Sequence, residues 1–307
     1  MHTAYITHLA CLQHEMGDDH PECPARIHAV EDQLIASGLL PFLERHDAPL
    51  VKREQLERVH GLAHIEQVFS QAPIDGLVHI DPDTAMNPYS LEAALRSAGA
   101  AVMATDLVIS GRVENAFCNI RPPGHHAGRD TSGGFCIFNN VAVAVAHALE
   151  HHGLQRVAIA DFDVHHGDGT EDIFRHDPRV MLCSTFRHPF YPYDGADSSN
   201  DHIINVPLKV GTSSADFREA VITHWLPALE RFQPQIIFIS AGFDAHREDD
   251  MGGLCLIDAD YGWVADQLKE IAAKYAGNRI VSVLEGGYEL HALGRSAMAH
   301  VKSLSGL

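Results

Sequence analysis

The sequence predicts an α/β protein with a central parallel β-sheet and helices on both of its faces. Three observations predict this fold class: short apolar runs alternate with helical patterns, the runs are nearly continuous, and polar clusters follow them. Strands of a parallel sheet are buried on both faces and therefore read as continuous apolar runs, and helices connect them. No repeat, low-complexity stretch or charged linker divides the 307 residues, so we predict one domain over residues 1–307.

The elements are predicted in alternating order from residue 90 onward. Apolar residues at helical spacing predict helices at 90–110, 139–152, 214–231, 258–276 and 290–304. Short apolar runs predict strands near 115–119, 156–162, 179–185, 236–240 and 279–284. A helix connects most successive strands, as a parallel sheet requires.

The composition excludes some functions and compartments. The chain carries 41 acidic and 22 basic residues, a formal net charge of −19, so direct nucleic-acid binding is not expected. The acidic surface would favour cationic partners or serve only to keep the protein in solution. Six dispersed cysteines form no CxxC pair and predict no disulfide framework. Because neither a signal peptide nor an apolar run of transmembrane length is evident, we expect a cytoplasmic protein without a membrane partner.

Four polar clusters each follow an apolar strand. They read RPPGHHA, DVHHGDGT, AGFDAH and EGGY. Open α/β sheets gather their ligand-binding loops at the carboxyl ends of the strands. The four clusters are therefore expected to meet at one edge of the sheet and to build a site there.

The second cluster is the densest in metal-binding side chains. Asp163 and His165 are two residues apart in an extended segment and can face the same ion, and Asp244 follows the strand IIFIS on a neighbouring loop. Two carboxylates and one imidazole would leave an open coordination position, as in catalytic zinc sites. Zinc is favoured, although oxygen and nitrogen ligands also suit ferrous iron or cobalt.

Proton transfer would fall to the tandem His125-His126, which follows the rigid turn formed by residues 121–124. A histidine oriented by a carboxylate is a suitable general base and acid, and Asp161 and Asp168 are the carboxylates available. A tandem histidine alone is a weak signal. Beside a cluster of metal ligands it becomes a strong one.

Two further features allow two interpretations each. Tyr288 follows the last predicted strand and two glycines, where its hydroxyl could donate to an oxyanion or its ring could belong to the core. The segments 133–136 and 190–192 place Phe135 and Tyr191 on loops, where the rings would either line a pocket or pack locally. These residues alone leave both questions open.

Together, the segments resemble the histone deacetylase family in its broad sense, which includes bacterial amidohydrolases. The segment His20-Pro21-Glu22 with Arg26, then RPPGHHA, GFCIFNN, DFDVHHGDGT, SAGFDAH and LEGGY, occur in this order and span nearly the whole chain. LEGGY and the HPE segment look more like class II and bacterial members than class I. The resemblance implies the arginase–deacetylase fold and zinc-dependent hydrolysis of acetyl amides, foremost N6-acetyl-lysine in proteins or peptides.

The resemblance also implies roles for the polar residues of the site. The zinc ligands would be Asp163, His165 and Asp244. The residues acting on the amide would be His126 as general base and then acid, Asp168 as its orienting partner, His125 with Asp161 as a charge-stabilising pair, and Tyr288 as the oxyanion donor.

A substrate channel and structural cations are implied as well. The channel for an acyl-lysine stem would be lined by Gly134, Phe135, Tyr191 and Met251, with Asp83 near the place where relatives hold the substrate backbone. A potassium ion would be held, mostly through backbone oxygens, by Asp161, Asp163, His165, Ser184 and Thr185. A second cation would lie at the carbonyls of Phe174, Asp177, Val180 and His202.

Departures from the family's pattern and rival functions leave the substrate open. Tyr191 stands where Phe is common, and Asp168 stands where many class II members have Asn.

An arginase-type enzyme with two manganese ions needs a further aspartate where Gly167 stands, so that function is set aside. A non-catalytic acyl-lysine binder would lack catalytic residues, yet every such position is filled. An acetylpolyamine amidohydrolase is the alternative, although Met251 replaces the acidic gatekeeper of that group; acyl length and oligomeric state stay open.

Overall fold

A computed structural model describes residues 2–307 of the protein, and most of its strands form one sheet. The strands are β1 (Thr3–Thr7), β2 (Glu44–Asp47), β3 (Val78–Asp81), β4 (Thr84–Met86), β5 (Asn115–Cys118), β6 (Val157–Asp161), β7 (Val180–Arg187), β8 (Ile203–Leu208), β9 (Ile236–Ala241) and β10 (Ile280–Leu284). Eight of them pair in parallel in the order β2-β1-β5-β10-β9-β6-β7-β8, and β3 and β4 form a separate antiparallel hairpin.

Helices cover this sheet in two groups. They are α1 (Ala25–Ala36), α2 (Arg53–Leu56), α3 (Leu62–Gln71), α4 (Ser90–Ile109), α5 (Asn140–Glu150), α6 (Asp168–Phe174), α7 (Ser214–Ala220), α8 (Leu226–Phe232), α9 (Asp258–Ile271) and α10 (Leu290–Ser305). Helix α10 packs against both α1 and α9, α4 packs against α5, and members of both groups contact the central strands. The predicted fold class, a parallel sheet flanked by helices, is confirmed.

The helices and strands predicted from residue 90 onward are all present, with ends that differ by at most two residues. Helix α5 begins after Asn139, whose side chain accepts the N–H of Ala142 and caps the helix. Strand β7 extends to Arg187 because β8, which was not predicted, pairs with it as far as Leu208. The predicted helices at 214–231 and 258–276 contain π-helical turns at Val221–Trp225 and Ala272–Ala276.

The four central strands position the polar clusters. Strands β5, β10, β9 and β6 are adjacent in the sheet, and each of their residues is buried. Because all four run in the same direction, their carboxyl ends and the clusters that follow lie side by side at one edge. Within residues 2–307, none of the helices combines the length and hydropathy that a membrane span requires.

Candidate active site

The predicted metal ligands meet at this edge of the sheet. One ligand atom from each of Asp163, His165 and Asp244 lies within 4.8 Å of the others, and all three side chains are buried. Nδ1 of His165 is 3.0 Å from Oδ1 of Asp163 and 3.2 Å from Oδ2 of Asp244. The chain thus brings two carboxylates and one imidazole to a single point, which is the donor set of many catalytic zinc sites.

Backbone groups orient the two carboxylates. Gly286 donates its N–H to Oδ2 of Asp163 at 2.8 Å, and Val164 donates to Oδ1 of Asp244 at 2.9 Å. Within residues 2–307, Oδ2 of Asp244 is buried and accepts no hydrogen bond of good geometry. A buried carboxylate oxygen without a donor is costly, and a bound cation would remove that cost. A β-carbon at position 286 would collide with Asp163 and Asp244, so the close approach of this backbone segment to the two carboxylates requires glycine.

The negative charge of the Asp163 and Asp244 carboxylates favours binding of a cation. Burial, and then the nearby Asp163 carboxylate, raise the pKa of Asp244 to about 7. Although burial opposes it, the adjacent carboxylates of Asp163 and Asp244 raise the pKa of His165 to about 9. The carboxylates of Asp163 and Asp244 share the His165 imidazole, and a divalent ion would relieve the repulsion between them.

Each histidine of the tandem pair has its own carboxylate partner. Nδ1 of His125 lies 3.0 Å from Oδ2 of Asp161, and Nδ1 of His126 lies 2.6 Å from Oδ1 of Asp168. Burial lowers the pKa of His125, but Asp163 and Asp161 outweigh it and raise that pKa well above its ordinary value. Burial, and then the charge on His125, lower the pKa of His126 to about 4. At neutral pH His126 is therefore neutral and able to accept a proton, whereas the carboxylates around His125 favour its protonated form.

A buried glutamate that the sequence argument did not assign joins two of the clusters. Oε2 of Glu285 accepts the N–H groups of Gly124 and His125, at 2.6 and 3.1 Å. These bonds attach the turn before the histidine pair to the loop after β10. The signal in the sequence was a charged residue directly after a buried strand, where an unpaired carboxylate would be costly.

Tyr288 lies in a loop that the buried Arg26 contacts, and Glu22 links Arg26 to a second buried arginine, Arg121. Arg26 donates from Nε to the carbonyl of Gly287 at 2.6 Å, and its guanidinium lies 5.0 Å from the centre of the Tyr288 ring. Glu22 accepts from both Arg26 and Arg121, at 2.9 Å from Nη1 of Arg26 and 2.6 Å from Nη2 of Arg121. Burial raises the pKa of the Tyr288 hydroxyl well above its ordinary value, so the hydroxyl stays a donor at neutral pH.

The predicted channel residues surround the centre on several loops. The Tyr191 ring lies 5.1 Å from that of His126 and 6.0 Å from that of His165, and the Phe135 ring lies 5.8 Å from that of Tyr288. Gly134 has a φ of 56°, and a β-carbon there would collide with the His126 ring. Asp83 accepts the N–H of Gly134 at 3.0 Å, and Met251 is partly buried on the loop after Asp244.

The two predicted potassium sets occupy neighbouring parts of the sheet. Ser184 pairs with Asp161 between β7 and β6, Thr185 follows it, and the buried Ser184 hydroxyl has no hydrogen-bond partner in the described part of the chain. The carbonyls of the second set lie between the end of α6 and the start of β7, and at His202 just before β8. Those of Phe174, Asp177 and Val180 accept, respectively, from the N–H of Asp177, the N–H of Val180 and Nδ1 of His202. Both cation sites stay predictions.

A second histidine cluster, on the surface, also has the geometry of metal ligands. His147, His151 and His152 lie around the end of α5. Nε2 of His147 and of His152 lie 2.8 and 2.7 Å from Oδ1 of Asp106, and Arg58 lies 3.1 Å from Nδ1 of His147. Because arginine can only donate, Nδ1 of His147 accepts and Nε2 carries the proton. Both ring nitrogens of His147 are thus engaged by protein groups, whereas Oδ2 of Asp244 in the buried triad has no hydrogen-bond partner within residues 2–307.

Comparison with known proteins decides the family. The family model described as the histone deacetylase domain matches residues 20–304. The chain belongs to the histone deacetylase family. A histone deacetylase-like amidohydrolase of Pseudomonas aeruginosa is 36% identical over 94% of the chain and 77% of that protein. A probable deacetylase of Archaeoglobus fulgidus is 34% identical over 94% of the chain and 82% of that protein.

The fold of a solved relative agrees with this assignment. The crystal structure of the HDA15 HD domain superposes with a TM-score of 0.94 at 35% identity, covering 99% of this chain and 90% of that one. As a member of the histone deacetylase family, the protein is a hydrolase of acetyl amides.

Proposed function

We propose that this histone deacetylase family member is a zinc-dependent deacetylase acting on N6-acetyl-lysine in proteins or peptides. The observation that carries the proposal is the buried triad Asp163, His165 and Asp244, whose Asp244 oxygen lacks a donor among the described residues. Two histidine–aspartate pairs lie beside it, at the distances that proton transfer and charge stabilisation require.

The triad would hold one zinc ion, and a bound zinc would supply a Lewis acid that polarises the amide carbonyl and activates water. His126 is the proton carrier in this proposal. Its ring accepts a proton from the attacking water and then donates that proton to the nitrogen of the leaving group, which departs as a neutral amine. Asp168, bonded to Nδ1, keeps the opposite nitrogen aimed at the reacting atoms.

Charge that develops on the amide oxygen would be stabilised by two further residues. The Tyr288 hydroxyl donates to that oxygen, and the interaction strengthens as negative charge accumulates. His125, protonated against Asp161, lies 3.8 Å from the Asp163 carboxylate and adds positive charge beside the centre. In this proposal Tyr288 therefore acts as the oxyanion donor and not merely as a core residue.

The channel favours a substrate whose acetylated amine is carried on a long, slender aliphatic stem. Tyr191 and Phe135 lie beside different residues of the centre, so an aliphatic stem passing between these loops would contact aromatic rings. Acetylpolyamines are the second candidate substrates, favoured by the carboxylates of Asp81 and Asp83. Both lie against the Gly133–Gly134 turn, and after burial the Asp83 charge is the largest influence that raises the pKa of Tyr191. A distant ammonium would be attracted there.

Secondary parts of the proposal concern cations and location. A potassium ion beside Ser184 is supported by the buried hydroxyl that lacks a partner in residues 2–307. A second cation at the Phe174–Val180 turn and a cytoplasmic location stay predictions.

The test is metal removal and replacement, scored on both substrate classes. Chelator treatment should abolish hydrolysis of acetyl-lysine peptides, and stoichiometric zinc should restore it. The same preparations are assayed on acetylated polyamines. Higher kcat/KM for the polyamines would transfer the substrate assignment, and full turnover in protein verified to be metal-free would end the zinc proposal.

A further inference from the structure

We propose that Asp249 is a positioning residue that holds the Tyr288 hydroxyl in place for the reaction. The inference rests on the proposed function, because it acts through the oxyanion role of Tyr288. Asp249 lies in the segment Arg247-Glu248-Asp249-Asp250, which reads as a charged surface turn. Its side chain is instead buried, with 5% of the residue exposed.

The Asp249 carboxylate accepts three backbone N–H groups. Oδ2 lies 2.6 Å from the nitrogen of Tyr288 and 3.1 Å from that of Glu289, and Oδ1 lies 2.9 Å from that of Met251. Hydrogen bonds to an ionised acceptor are stronger than neutral ones. One side chain therefore ties the tyrosine loop to the loop that carries a predicted channel residue.

The tyrosine loop is held from its other side as well. Arg26 donates to the carbonyls of Glu285 and Gly287, while Asp249 binds the amide groups of the next two residues. Both charged groups are buried, and together they constrain the backbone just before and at Tyr288. The Gly287 carbonyl and the Tyr288 N–H belong to one peptide group, so Arg26 and Asp249 hold its two ends, and Asp249 is the one bonded to the N–H of Tyr288.

The turn that Asp249 begins also packs against a metal ligand. Gly252 donates its N–H to the Asp249 carbonyl at 3.2 Å, and a β-carbon at Gly252 would collide with the carbonyl of Asp244. The turn thus lies between Asp244 and Tyr288. A displacement of about 1 Å between groups that act on the same substrate can cost on the order of 10²-fold in rate.

Asparagine can replace only one of the two acceptor oxygens, so its amide NH2 would face either the N–H groups of Tyr288 and Glu289 or the N–H of Met251. The neighbouring Asp250 is exposed, which makes Asp250→Asn the matched control for loss of one charge. It should leave kcat unchanged.

The experiment is a double-mutant cycle with Asp249→Asn and Tyr288→Phe on the zinc-loaded enzyme. Zinc content, melting temperature, kcat and KM are measured for wild type, both single variants and the double variant. We expect Asp249→Asn to lower kcat by about 10- to 100-fold with little change in KM and with zinc retained. In the Tyr288→Phe background the same change should lower kcat by less than about twofold, because the hydroxyl it positions is gone.

Two results separate the failure of this inference from that of the proposed function. Normal turnover in Tyr288→Phe would remove the tyrosine from the mechanism and Asp249 with it. A lowered turnover in Tyr288→Phe, together with an equal further loss from Asp249→Asn in both backgrounds, would show that Asp249 acts only on the fold. Asp249→Ser, which keeps one oxygen acceptor, is taken through the same cycle so that poor folding of the asparagine variant still leaves an answer.

Discussion

Two buried clusters of charge lie on either side of the loop that carries Tyr288, and they are built in opposite ways. In one, the Glu22 carboxylate is held between the guanidinium groups of Arg26 and Arg121. In the other, the carboxylates of Asp163 and Asp244 share His165. Burial opposes ionisation of Glu22, yet the two arginines lower its pKa to about 2. Burial, and then the like charge of Asp163, raise the pKa of Asp244 to about 7.

The difference separates a cluster that serves the fold from one that serves the chemistry. A buried carboxylate with enough counter-charge is satisfied by the chain itself and gains nothing from a ligand. A carboxylate with too little counter-charge, such as that of Asp244, is held in an unfavourable arrangement that a cation would relieve. The amount of positive charge around each carboxylate therefore distinguishes the Glu22 cluster from the Asp244 cluster more clearly than the types of residue do.

The largest expected effect comes from neutralising the deficient cluster. Asp244→Asn keeps the oxygen that accepts from Val164 and removes one of the two competing charges. We expect bound zinc and deacetylation to be lost, while chelator-treated protein becomes more stable because the repulsion with Asp163 is gone. Elemental analysis and urea unfolding of metal-free samples measure both effects. Zinc retention at one ion per chain together with wild-type turnover would contradict the assignment.

The next effect concerns the histidines beside this cluster. His126→Ala should lower kcat by about 10²–10⁴-fold, the usual contribution of a general acid–base group, without loss of zinc. His125→Ala should lower kcat less, because its inferred role is electrostatic. Steady-state kinetics on an acetyl-lysine peptide distinguish the two, and an unchanged kcat in His126→Ala would require another base.

A change in the balanced cluster should act on stability rather than on metal binding. Glu22→Gln leaves Arg26 and Arg121 buried without a negative partner, which typically costs about 3–5 kcal/mol of unfolding free energy. Zinc content should stay at that of the wild type. Urea unfolding compared with that of Asp244→Asn gives the contrast, and a shift of the same sign in both variants would show that the two clusters are not opposites.

The smallest expected effect is the pH dependence of the contribution that Glu22 makes to the free energy of unfolding. The folded-state pKa of Glu22 is about 2 and lies below its ordinary value of 4.5. A lowered folded-state pKa gives stability that is present above the unfolded-state pKa and is lost as the pH falls toward the folded-state value. The stability difference between wild type and Glu22→Gln should therefore shrink as the pH falls from about 5 to about 3. A difference that stays constant over this range would mean that Glu22 is not the titrating group.

Some parts of the molecule could not be predicted from sequence, for physical reasons that differ from case to case. Strand β2 reads Glu-Arg-His-Asp and lies at an edge of the sheet, so no apolar run indicates it. Asp249 lies among charged residues, and its burial depends on a tyrosine loop 39 residues later. Glu285 could be recognised as a charge after a buried strand, but its partners, Gly124 and His125, lie 161 and 160 positions away.

By itself, the sequence determined the fold class, the elements from residue 90 onward apart from α6 and β8, and the edge at which the four polar clusters meet. These follow from local periodicity and from the shared direction of parallel strands, which nearby residues encode. Only the tertiary structure decided how much positive charge each buried carboxylate receives, and which backbone groups each one holds. Glu22 and Arg121 are 99 positions apart, and Asp163 is 123 positions from Gly286, so those contacts exist only once the chain has folded. Desolvation then makes each contact, or its absence, strong enough to set the chemistry.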